Sequence, residues 1–117
     1  MKKIYHLSTC DTCKRILKEL EPGKEFELQD IKTDAITPDQ LSQMAQLAGS
    51  YESLFSKRAR LYKERNLKEQ TLSETDYKDL ILEHYTFLKR PVIIIDDNIF
   101  VGNSKSEVAA AKEKINS

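Results

Sequence analysis

Residues 4–20 read Ile4-Tyr5-His6-Leu7-Ser8-Thr9-Cys10-Asp11-Thr12-Cys13-Lys14-Arg15-Ile16-Leu17-Lys18-Glu19-Leu20. The stretch decides the fold because its apolar period changes half-way. Ile4 to Leu7 is a short β-prone run that ends at the polar pair Ser8-Thr9. Cys13, Ile16, Leu17 and Leu20 then fall at i, i+3, i+4 and i+7, one face of a helix. Pro22-Gly23 stops that helix. The two cysteines therefore sit on a strand-to-helix turn.

Downstream, Phe26 and Leu28 alternate with charged residues, which predicts a second strand ending near Ile31. Thr37-Pro38-Asp39-Gln40 is a helix start, with Thr at the N-cap, Pro at the first helical position and Gln at N3. Leu41, Met44, Ala45 and Ala48 form its buried face, and Gly49 is a fitting stop. Tyr51 to Asn66 reads as one or two short helices. Ser73 to Asp76 opens another, with Tyr77, Leu80, Ile81 and His84 on one side. The tail returns to strand chemistry. Val92 to Ile95 is a continuous β-branched run, Asp96-Asp97-Asn98 is a turn, and Ile99 to Val101 is the second arm of a hairpin. Ser104-x-x-Glu107 predicts a capping box for a last helix whose face is Val108, Ala111 and Ile115.

The order is β-α-β, several helices, then β-β-α. A strand, a helix and a strand at the front imply a right-handed parallel unit. The hairpin and last helix complete a small mixed sheet. This predicts an α/β, thioredoxin-like architecture: one domain over residues 1–117 with an all-helical insertion at roughly 37–86.

Composition narrows the function. Hydrophobic residues are 39% and charged residues 32% of the 117, which excludes a disordered or membrane-embedded chain. Nineteen basic residues balance nineteen acidic ones, so no global field favours nucleic acid, and anion affinity has to come from a local patch. Met1-Lys2-Lys3 is not followed by the apolar stretch of a secretory signal, which points to the cytoplasm. There a Cys-x-x-Cys is redox-active or metal-binding rather than a structural staple. Zinc is the weaker choice. It needs four ligands, and Cys10, Cys13, His6 and His84 contain no second closely spaced pair.

Cys10 lies where helix amides have no intrahelical partner and the helix dipole is positive. Both favour a thiolate, so Cys10 is the candidate nucleophile. Cys13, one turn on, can resolve a mixed disulfide formed at Cys10. It also falls on the apolar face and can equally be a small buried hydrophobe. His6 ends the strand four residues upstream and can add positive charge, though a lone histidine in an apolar strand is more often structural. His84 reads as structural or as helix capping. Lys57 to Arg65 carries five basic residues against one acid. Most of that run is a solvated face, and a subset can form an anion site. Arg90 directly precedes Pro91 at the start of a buried strand. In a thioredoxin-like fold that proline is cis, and Arg90 projects toward Cys10.

At these residues the chain resembles the arsenate reductase (ArsC) and Spx family. Tyr5-His6-x-x-x-Cys10-x-Thr12 is similar to the family's active-site strand and loop. Leu88-Lys89-Arg90-Pro91-Val92-Ile93 is similar to its Arg-Pro signature. Leu54 to Leu67 resembles its linking helices, and Gly102 with Ser106-Glu107-Val108 its last turn. The resemblance implies a thiol-dependent reductase in which Cys10 attacks an oxyanion or mixed disulfide. It also implies that His6 lowers the pKa of Cys10, and that Arg90 with Arg58 or Arg60 holds the anion. Pro91 matches the cis-proline. No metal and no bound cofactor are implied. Glutathione is the expected co-substrate, with glutaredoxin or thioredoxin as partner and arsenate as the model oxyanion.

Two departures favour an alternative. The third arginine of such reductases is replaced by Asn103-Ser104-Lys105, and Lys105 lacks the planar fork of arginine. Cys13 stands where such reductases carry serine. A cysteine pair there, with Gly49 and Arg58, is like Spx, a regulator that binds the C-terminal domain of the RNA polymerase α subunit and uses the pair as a disulfide switch. Neither reading expects direct nucleic-acid or membrane binding.

Overall fold

In the computed structural model, which describes residues 1–117, the chain divides into two compact units. Met1–Ala35 and Arg90–Ser117 form the first, and Ile36–Lys89 the second.

The first unit is built on a four-stranded sheet. Its strands are β1 (Lys2–His6), β2 (Glu27–Asp30), β3 (Val92–Ile95) and β4 (Asn98–Val101), in the order β2-β1-β3-β4. β1 runs parallel to β2 and antiparallel to β3, and β3 pairs antiparallel with β4. This mixed sheet has the thioredoxin-like topology. α1 (Asp11–Leu20) joins the parallel strands, and α5 (Lys105–Ile115) follows the hairpin. Ile16 and Leu20 of α1 and Val108 and Ala111 of α5 close a core over Ile4, Phe26, Ile93 and Ile95. All four residues of β3 are buried, as its unbroken β-branched run requires.

β2 departs from the expected alternation. Phe26 is buried but precedes the strand, Leu28 is 49% exposed, and Gln29 takes the inward position. β2 is the sheet edge, where one flank is open. The buried Gln29 amide is satisfied by donating to the Asp34 carbonyl at 2.9 Å. The last helix also departs from expectation. Ser104 Oγ accepts from the Glu107 amide at 3.2 Å, but the Glu107 carboxylate does not return to the N-cap. It accepts instead from the Val101 amide at 2.9 Å, capping the end of β4.

The second unit contains α2 (Pro38–Ala48), α3 (Arg60–Glu64) and α4 (Glu74–Glu83), linked by 3-10 turns at Glu52–Leu54, Leu67–Glu69 and Tyr85–Phe87. Full capping boxes start α2 at Thr37/Gln40 and α4 at Ser73/Asp76. α2 ends at Gly49, whose φ of 99° suits glycine. Phe55 anchors the core, stacked on Phe87 at 5.2 Å and packed against Tyr77 at 4.9 Å. The unit is closed by Ser56 N–H donating to the Phe87 carbonyl at 2.7 Å and Lys89 N–H to the Leu54 carbonyl at 2.8 Å. His84 ends α4, and its Nδ1 accepts from the Thr86 amide at 3.2 Å to start the next turn. No helix in the chain is long and apolar enough to cross a membrane.

Candidate active site

β1 ends at His6, and the chain turns through Leu7, Ser8 and Thr9 into α1, with Cys10 at the N-cap in extended backbone. Its amide donates to the Leu7 carbonyl at 3.0 Å, and its carbonyl accepts from Lys14 at 3.1 Å. Both cysteines are free thiols. Cys10 is partly exposed and Cys13 is fully buried.

The two sulfurs are pushed in opposite directions. Partial burial of Cys10 opposes its thiolate, but hydrogen bonds from the Cys13 amide and the Cys13 thiol, the Arg90 charge and the Thr12 amide outweigh it. The net pKa of Cys10 is lowered. Burial raises Cys13 to about 11, reinforced by the Cys10 charge and by donation of its S–H to Cys10. The Leu7 amide and Arg90 act the other way on Cys13 without reversing that direction. A thiol whose ionisation is favoured and a buried thiol whose ionisation is opposed therefore lie one helical turn apart.

Arg90 is joined to Pro91 by a cis peptide bond, and the Pro91 carbonyl accepts from the Gly102 amide at 2.9 Å. Val92, the next residue, pairs with Tyr5 of β1, which brings this segment to the cysteine end of the sheet. His6 is placed differently from Arg90. It lies opposite Asp30 in the parallel pair, and its charge acts on the Asp30 carboxylate. The cation that acts on both sulfurs is Arg90.

Arg58 and Arg60 lie in the helical unit, both exposed. Arg60 pairs with Glu64 at 3.3 Å. Elsewhere in the basic run, Lys57 pairs with Glu52 at 3.7 Å and Arg65 with Glu83 at 2.6 Å. Much of the run's charge is thus balanced by neighbouring acids. Lys105 is an exposed residue in the first turn of α5.

One neighbour of the cysteine turn is absent from the sequence reading. Asp30, the last residue of β2, accepts from the hydroxyl and the amide of Ser8. Nothing in the local sequence marks it. The contact exists because the parallel register sets Asp30 beside the end of β1.

Comparison with known proteins settles the family. Residues 5–111 match the ArsC family. The chain belongs to the ArsC family. A protein of Haemophilus influenzae is 32% identical over 115 residues, covering 95% of this chain and 98% of that protein. The global transcriptional regulator Spx of Bacillus subtilis is 24% identical over 110 residues, covering 92% of this chain and 84% of Spx. Among solved structures, the arsenate reductase from Vibrio cholerae superposes with a TM-score of 0.74 at 24% identity, covering 94% of this chain and 96% of that one. A Staphylococcus aureus protein superposes with a TM-score of 0.75 at 29% identity, covering 94% and 97%. This ArsC-family chain is thus similar in extent to both reductases and Spx regulators.

Proposed function

We propose that the chain is a thiol-dependent reductase acting in the cytoplasm, with Cys10 as nucleophile. The observation that carries this reading is the set of groups that favour ionisation of Cys10: hydrogen bonds from the amide and thiol of Cys13 and from the Thr12 amide, and the positive charge of Arg90. With arsenate, the Cys10 thiolate attacks arsenic(V), and one arsenate oxygen leaves as water after protonation from solvent. The thiolate of Cys13 or glutathione then attacks the Cys10 sulfur. A disulfide forms, the sulfur–arsenic bond breaks, and its electron pair stays on arsenic, which departs as arsenite. Two thiols are oxidised and one arsenic is reduced by two electrons. A glutathione- or thioredoxin-type reductant restores the thiols. On a mixed disulfide the same thiolate attacks sulfur instead.

The order of the two cysteines follows from their coupling. The charge on Cys10 is one cause of the raised pKa of Cys13. Once Cys10 is covalently occupied that charge is gone, and Cys13 ionises more readily. Arg90 neutralises the bound oxyanion at the same place. Family resemblance assigns further oxyanion contacts to Arg58 and Arg60 and a role in activating Cys10 to His6.

The deciding experiment is arsenate turnover coupled to glutathione and glutaredoxin. Turnover by the wild-type protein that vanishes in Cys10→Ser supports the reading, and turnover unchanged in Cys10→Ser overturns it. The second reading is a redox-sensing regulator that binds the RNA polymerase α subunit, favoured by donation of the Cys13 thiol to Cys10. Absence of turnover, with capture of the α subunit that responds to oxidation, selects it.

A further inference from the structure

We propose that Asp30 is a positioning residue for the reactive-cysteine turn: its carboxylate holds Ser8 by both amide and hydroxyl and so fixes the backbone that presents Cys10 and receives Cys13. This rests on the reading of Cys10 as nucleophile.

The Asp30 carboxylate reaches in two directions. Oδ1 accepts from the Ser8 amide at 3.3 Å and from the Lys32 amide at 3.2 Å. Oδ2 accepts from the Ser8 hydroxyl. The Lys32 contact is a local turn within the chain after β2. The Ser8 contacts cross from β2 to the loop after β1, 22 positions away in sequence. One bond further along, the Ile31 amide donates to the His6 carbonyl at 2.9 Å, so the parallel ladder and the Asp30 tie run without a break up to Ser8.

Ser8 adjoins Leu7, which bonds to both cysteines, to Cys10 through its backbone and to Cys13 at sulfur. The Leu7 carbonyl accepts from the Cys10 amide at 3.0 Å, and the Leu7 amide donates to the Cys13 sulfur. Ser8 and Thr9 are themselves exposed. Without the carboxylate, the segment between Leu7 and Cys10 is held only by its own turn. The Cys13 donors then lose their fixed aim at Cys10, and hydrogen bonds weaken steeply with misalignment.

The sign of the effect separates positioning from simple electrostatics. Removal of a carboxylate charge by itself can only favour ionisation of a thiol. Removing the tie does the opposite. The test is alkylation of the reduced full-length protein by iodoacetamide across pH, read at Cys10 by mass spectrometry. Asp30→Ala and Ser8→Ala are expected to raise the apparent pKa of Cys10. A rise of about one unit in Asp30→Ala lowers the thiolate fraction at neutral pH by up to about tenfold. Asp30→Asn, which keeps an acceptor for the Ser8 amide, is expected to stay nearer wild type. Ile95→Val, at the other end of the sheet, lowers stability without moving the Cys10 profile and controls for general loosening. If Asp30→Ala fails to fold, Ser8→Ala carries the test. A wild-type Cys10 with an ordinary thiol pKa overturns the nucleophile reading itself. A lowered wild-type pKa that is unchanged or lowered further in Ser8→Ala and Asp30→Ala overturns the positioning role alone.

Discussion

The Cys13 thiol and the Cys13 backbone amide both donate to the Cys10 sulfur. The pair is therefore asymmetric before any chemistry occurs: one sulfur collects donors, and the other is buried and protonated. A Cys-x-x-Cys spacing permits this because the amide at the fourth position points back along the first helical turn toward the N-cap.

Replacing Cys13 by alanine removes the S–H donor and leaves the amide. Alkylation of Cys10 at pH 7 should slow several-fold, because a donor to the charged form is lost. Cys13→Ser keeps a hydroxyl donor and should stay closer to wild type. Neither variant can form the intramolecular disulfide after mild peroxide, which mass spectrometry of the oxidised proteins checks.

Arg90 acts on both cysteines and lowers both pKa values. Arg90→Gln should move both upward, with alkylation of Cys10 at neutral pH falling by up to about tenfold per unit of pKa. Arg90→Lys keeps the charge but not the planar fork, so Cys10 reactivity should survive better than oxyanion turnover. Parallel loss of both in Arg90→Lys would contradict a separate oxyanion contact.

Stability of the reduced protein should fall as pH rises from about 9 to about 11. Burial first, then the Cys10 charge, hold the folded Cys13 pKa at about 11. In the unfolded chain it titrates at an ordinary thiol value. Between the two values the unfolded chain releases a proton that the folded chain keeps, so the stabilisation is fully present below the unfolded pKa and lost through the folded one. Cys10 has the opposite sign: its contribution is present above its unfolded pKa and lost as pH falls through its lowered folded value. Urea midpoints measured from pH 8 to 11 should show wild type losing stability relative to Cys13→Val as pH rises. Midpoints that stay parallel would exclude a raised Cys13.

Glu107→Ala removes the acceptor of the Val101 amide at the end of β4. The cost should be about 1–2 kcal/mol in urea denaturation. Glu107→Asp should not restore it, because the shorter side chain no longer reaches from α5 to the strand. The Ser104 cap is unaffected in either variant, since it serves the residue 107 amide.

Features that depend on residues a few positions apart were legible from sequence. The α1 face of Cys13, Ile16 and Leu20, the boxes at Thr37/Gln40 and Ser73/Asp76 and the stop at Gly49 are all of this kind. The Ser104-x-x-Glu107 pattern shows the limit. Its first half forms as the local rule requires, and its second half is drawn instead to the Val101 amide at the end of β4. Leu28 shows the same limit in a strand. Alternation identified the strand but not which of its faces the core would cover.

The sequence by itself determined the strand-turn-helix start, the helix limits, the hairpin and the cysteine pair at a helix N-terminus. Backbone geometry and side-chain spacing within one or two turns are enough to specify these. Tertiary structure alone decided that Gln29 faces inward, that Arg90 acts on both sulfurs, that His6 lies against Asp30, and that Asp30 holds Ser8. Each of these depends on strand register and on which strands become neighbours. Those are set by burial of the whole apolar set at once, which no short window of sequence contains.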